Sequence, residues 1–124
     1  MKQFGIVLLT LLSCGCSQFS EQDFRFIAFN VTDHTAAAVV NGREYTALAN
    51  RSSSFTVPID VRVDPYGNQT GPSPIDTYVR VSVAFRDAVT GKLTLPVICQ
   101  TQASTVTHIT FEIYSGVGYA RCGY

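Results

Sequence analysis

From Phe24 onward, apolar and polar residues alternate with a period of two. In "FTVPIDVRV", Phe55, Val57, Ile59, Val61 and Val63 fall on one face and Thr56, Pro58, Asp60 and Arg62 on the other. "YVRVSVAF" repeats the pattern: Val79, Val81, Val83 and Phe85 oppose Arg80, Ser82 and the following Arg86. "HITFEIY" does so again with Ile109, Phe111 and Ile113. Successive side chains of a strand point to opposite faces, so this alternation predicts sheets with one dry and one wet face. No window keeps a helical period over three turns.

Turn signals punctuate the runs. Asn41-Gly42 between "AAAVV" and "REYTAL" is the two-residue signature of a type I′ hairpin. Asp87 to Gly91 closes a second hairpin into "KLTLPVIC". The expected strands are 24–32, 36–40, 43–48, 54–63, 77–87, 92–99 and 105–114. About seven short strands at near-regular spacing predict an all-β fold, a small antiparallel β-sandwich of the immunoglobulin-like or transthyretin-like kind. Pro58 and Pro96 lie inside strand patterns and cannot donate to a ladder, so their strands are expected at edges or bulged. "IAF" and "FTV" at 27–29 and 55–57 echo "VAF" and "FEI" at 83–85 and 111–113, a weak internal similarity. Asp64 to Asp76 is the one long irregular segment, rich in Pro, Gly and Asn.

The 124 residues leave room for one ordinary domain. Low charge and many β-formers argue for a folded body. Formal net charge is zero, and removing Lys2 leaves about minus one. Scattered arginines with no basic run argue against a nucleic-acid surface.

The first residues are of another kind. Lys2 precedes the apolar run "FGIVLLTLL", Phe4 to Leu12. That run is too short for the roughly 20 residues a spanning helix needs, and reads as an export signal. "Leu11-Leu12-Ser13-Cys14" resembles a bacterial lipobox, where signal peptidase II cuts before a lipid-modified cysteine. The resemblance covers about the first sixteen residues. It implies a processing route and no fold. Leu11 favours a cut before Cys14, while Gly15 and the parity of the cysteines favour Cys16. An ordinary secretory cut after Ser13-x-Gly15 is the competing reading. The expected organisation is a signal peptide over 1–13 (or 1–15), a lipidated N-terminus and polar spacer over 14–23, and one sandwich domain over 24–124.

Cys99 and Cys122 remain, and in an exported protein are expected to pair. The bond would hold the glycine-rich tail "GVGYARCGY" against the sheet. No spacing predicts a metal site, a cofactor or a nucleophile. His34 sits in a polar turn, and His108 and Glu112 are about 13 Å apart along one strand. Both histidines are expected to be solvated. Three sequons, at Asn30, Asn50 and Asn68, keep a eukaryotic glycoprotein open.

The expectation is therefore a non-enzymatic, lipid-anchored module of the bacterial envelope (or a secreted one). It would bind an envelope protein through the 65–75 loop, with Tyr66 and Asn68, or through a face carrying Arg62, Arg80 and Arg86. The rival functions are a surface inhibitor or exclusion factor, and a small enzyme or carbohydrate binder using the 64–76 loop.

Overall fold

The computed structural model describes residues 19–62 and 78–123. They form eight strands: β1 (Phe19–Asn30), β2 (Ala36–Val40), β3 (Arg43–Ala47), β4 (Arg51–Arg62), β5 (Tyr78–Asp87), β6 (Val97–Gln102), β7 (Val106–Tyr114) and β8 (Val117–Cys122). One sheet has the order β4-β1-β7-β8 and the other β3-β2-β5-β6. The chain is the expected all-β sandwich, with one strand more than the alternation predicted and one parallel pair, β1 with β7. The first two strands of an immunoglobulin constant domain share a sheet. Here β1 and β2 lie in opposite sheets, which leaves the transthyretin-like arrangement of the two expected.

Alternation fills the core as predicted. Phe24, Phe26 and Ala28 of β1, Val57, Ile59 and Val61 of β4, and Ile109 and Phe111 of β7 are buried from one sheet. The other sheet contributes Ala36, Ala38, Val40, Val81, Val83 and Phe85. Asn41 and Gly42 take φ of 52° and 78°, as a type I′ turn requires. Pro58 sits on β4, an edge strand whose outer amides need no partner. The internal echo does not mark a structural repeat: β1 pairs with β4, whereas β5 and β7 are in different sheets.

The second proline explains a difference from the sequence expectation. Val83 pairs with Val97, and Arg86 bridges Leu93. Between these points β5 has two residues and the opposing segment has three, Thr94, Leu95 and Pro96. That is a β-bulge. It reverses which parity faces inward, so Thr94 is buried before it, and Cys99 and Thr101 after it. The expected strand 92–99 is therefore an irregular approach followed by β6 at 97–102.

The glycine-rich tail, which the expected strands did not include, is β8, paired with β7 from Ile109↔Cys122 to Tyr114↔Val117. Ser115 and Gly116 both have positive φ, 52° and 76°, and make a second tight hairpin. The expected polar spacer also shortens. β1 begins at Phe19, opposite Arg62, so residues 19–23 are sheet.

Strand direction gives the sandwich two unlike ends. β1 enters where β4 leaves. β7 runs parallel to β1, and β5 runs antiparallel to β6, so β5 also starts at this entry end. The turns 31–35, 48–50, 88–92 and 115–116 gather at the opposite, turn end. Hydrogen bonds tie them together: Ala88 N–H to Thr35 C=O at 2.9 Å and Asn50 N–H to Thr32 C=O at 2.8 Å.

Candidate functional site

The turn end is organised by a buried amide. Asn30, 1% exposed, donates through Nδ2 to the carbonyls of His34 (2.7 Å) and Ala47 (2.9 Å). Its Oδ1 accepts from Thr32 N–H (3.0 Å) and Thr32 Oγ1 (2.7 Å). Both amide hydrogens are committed inside the fold, so the Asn30 sequon is a structural motif in the native state and not a place for a glycan.

This network presents His34. Its Nδ1–H donates to Asp87 Oδ2 at 2.7 Å, and the other carboxylate oxygen accepts from Val89 N–H (2.7 Å) and Thr90 N–H (3.3 Å). The expected solvated histidine is therefore half of an ion pair joining the β1–β2 and β5–β6 turns. The hydrogen bond to Asp87, helped by the charges of Asp87 and Asp33, raises the His34 pKa above 6.5. Burial works against the charge of Asp87, but the hydrogen bonds from His34, Val89 and Thr90 outweigh it and hold the carboxyl below its usual range. The dyad resembles the base half of a nucleophilic site. However, His34 Nε2, the nitrogen that would take a proton, faces Asp33 Oδ1 at 3.6 Å. Its geometry is that of a clamp.

Next to the dyad the sandwich is open. A groove of about 560 Å³ runs between the bulged segment 93–97 and the β7–β8 hairpin. Its lining is mostly apolar, and His34, Asp87 and Lys92 lie among its walls. Two local features create it. The bulge turns Leu95 out to 84% exposure, beside Leu93 at 50%. On the other wall β8 turns Gly118 and Ala120 inward, so little side-chain volume fills the space. At Gly118 the backbone lies against the core: a Cβ there would be 3.0 Å from Phe111 Cε1 and 3.3 Å from Thr94 Cγ2. Val117 and Tyr119, about half exposed, continue the apolar surface.

The residues predicted from sequence lie elsewhere. Tyr66 and Asn68, like Cys14 and Cys16, are outside the described residues. The segment containing Tyr66 and Asn68 is flanked by Arg62 and Tyr78, both at the entry end. Arg62 belongs to β4 and Arg80 and Arg86 to β5, in opposite sheets, so the structure does not bring the three arginines onto one face. Arg80 is exposed, and Arg86 lies 3.9 Å from Glu44. His108 packs near Phe29, with ring centroids 5.6 Å apart, and Glu112 pairs with Arg121 at 2.6 Å. Cys99 and Cys122 are disulfide-bonded, with Cα atoms 5.6 Å apart, and link β6 to β8. Among the described residues, no three of His, Cys, Asp or Glu gather as metal ligands. The groove was missed because Leu93 and Leu95 read as strand alternation. The usable signals were Pro96, which breaks a ladder, and Ser115-Gly116, which turns the chain back.

No protein-family model, no curated protein and no solved structure matches this chain.

Proposed function

We propose that the chain is an envelope binding module, anchored through a lipid on Cys14 (or Cys16), that presents the groove at its turn end to a ligand. The observation that carries the reading is the open apolar groove at the turn end, the far end of β1 from Phe19. β1 starts three residues after Cys16 and five after Cys14. Its 12 residues, at about 3.3 Å each, raise the turn end some 40 Å above Phe19. An anchor at one end and an open apolar groove at the other suit a protein that holds its site away from the bilayer. The groove displaces the 65–75 loop as the favoured site, because it is open among the described residues, whereas that loop lies outside them. A pocket of this size, mostly apolar with a few polar groups at one end, has the form of a small-ligand site.

The test has two readings in a host that processes lipoproteins. Mass spectrometry of the mature N-terminus should find an acylated cysteine; an unmodified N-terminus overturns the anchor. A photo-reactive side chain placed at Leu95 should crosslink to a bound molecule in intact envelopes, while the same group at Ser82, on the Arg80/Arg86 face, should not. Equal capture at both positions, or none at Leu95, overturns the groove as the site.

A further inference from the structure

Of the ligands such a groove could take, the backbone of its β8 wall selects one. A two-residue turn joins β7 to β8, so Tyr114 and Val117 form a hydrogen-bonded pair and bonded pairs recur at every second residue. Glu112↔Tyr119 and Thr110↔Arg121 therefore exchange bonds, while Ile113↔Gly118 and Phe111↔Ala120 do not. The neighbouring bonds keep this alternation. Val31 N–H donates to Phe111 C=O at 3.2 Å, toward β1, and Gly123 N–H donates to His108 C=O at 2.6 Å. The N–H and C=O groups of Gly118 and Ala120 thus point away from β7. β8 ends its sheet, and no described residue bonds to them.

An unpaired edge is a template for another strand. At the other end of the same sheet, β4 interrupts its edge with Pro58. β8 has no proline, and its register with β7 has no bulge. Its open N–H and C=O groups carry partial charges of opposite sign, repeating at every second residue. The complement with that spacing is a second extended backbone. Residues bonded across a ladder share a face. A strand that bonds to Gly118 and Ala120 therefore turns those same residues into the groove, toward Leu93 and Leu95. A second copy of β8 would bring only glycine and alanine there, and would leave the groove of about 560 Å³ unfilled. Bulky apolar side chains fill it.

We infer that β8 is a docking edge for an extended peptide of another protein, which adds a strand to the β4-β1-β7-β8 sheet through Gly118 and Ala120 and places an apolar side chain in the groove at every second residue. This deepens the binding-module reading and rests on it. The mature protein is titrated with end-capped peptides of about seven residues, a common strand length, that alternate threonine with alanine, valine, leucine or phenylalanine. The bulky members should bind saturably at one site, and the alanine member should not. N-methylation of two apolar residues of a binding peptide removes the donors aimed at β8 and should weaken it about tenfold or more. The same change at two threonines, whose N–H groups face away, should leave affinity nearly unchanged. Ala120→Pro removes an outward N–H without touching the β7 ladder and should abolish binding, with folding checked by the unfolding midpoint. Failure of the folded wild-type protein to bind any bulky member overturns the inference, as does an equal loss from both N-methylations. A concentration-dependent dimer of the free protein that Ala120→Pro dissolves would assign the edge to a second copy and overturn it too. If position-95 crosslinks in envelopes persist in any of these cases, the peptide is wrong while the binding-module reading stands.

Discussion

The sandwich has two long seams, and they are closed by different means. Along β3 and β4, Tyr45 of one sheet stacks on Phe55 of the other, with centroids 4.3 Å apart and planes within 11°. Phe55 in turn lies parallel to Phe26, 5.8 Å away. Along β6 and β8, the sheets are joined by one covalent link, Cys99 to Cys122, and by the close approach of Gly118 to Thr94. Beyond that link, toward the turn end, β8 offers Gly118 and Ala120 where the first seam offers aromatic rings, and the groove opens. Aromatic stacking seals a seam over its length because area is buried continuously. A disulfide fixes one point and leaves the rest to whatever side chains are present. The comparison shows how a small domain can be stable and still hold an open apolar site: the two tasks fall to different edges.

The largest effect should come from the sealed seam. Phe26→Ala removes a ring that is 1% exposed and should cost about 3–5 kcal/mol in urea unfolding. A loss under 1 kcal/mol would mean the stack is not what closes that side. Next comes the covalent link. Replacing Cys99→Ala and Cys122→Ala together should cost roughly 3 kcal/mol for a closed loop of 23 residues. The loss should be local: exchange should rise in β8 before it rises in β1 or β4, and a uniform rise would contradict the division of labour. A smaller effect is expected at the close approach. Gly118→Ala places a methyl against Phe111 and Thr94 and should cost about 1–3 kcal/mol, as overpacking does.

The smallest effect is the pH dependence of the clamp. His34 is raised, so its contribution is complete below its unfolded value near 6.5 and is lost as pH rises through the higher folded value. Asp87 is lowered, so its contribution is present above its unfolded value near 3.8 and is lost as pH falls through the lower folded value. The pair therefore holds best between about pH 4 and pH 6.5. Unfolding midpoints measured from pH 5 to pH 9 should decline slightly through the His34 titration, and His34→Gln should flatten that decline. An unchanged slope in the variant would remove the clamp from the account.

The closed side was legible in the sequence and the open side was not, for a physical reason. Burial imposes a period of two, so Phe55, Val57, Ile59 and Val61 announced both their strand and their inner face. The Asn41-Gly42 turn was equally plain, because few residues take φ near 52° without strain. On the other side the rules are suspended. The bulge at Leu95 shifts the phase of the pattern midway, so one alternation count placed the strand at 92–99 and not at 97–102. β8 went unseen because Gly118 and Ala120 carry too little side chain to produce an apolar period, and the register comes from pairing with β7. The Cys99–Cys122 pairing followed from counting. That it joins two sheet edges did not, since strand order is a tertiary fact. His34 and Asp87 are 53 residues apart and meet only because the β1–β2 and β5–β6 turns share an end.

The asymmetry of the seams is tested most directly by residue-resolved hydrogen exchange in the free, oxidised protein. Amides of β1 and β4 within 24–28 and 53–59 should open only with global unfolding. Those of 93–97 and 115–120 should exchange through a local opening of clearly lower free energy, because little apolar area holds that edge down. Equal protection on both sides would contradict the account: the β6/β8 edge would then be as firmly packed as the β3/β4 edge, and no open site would exist there.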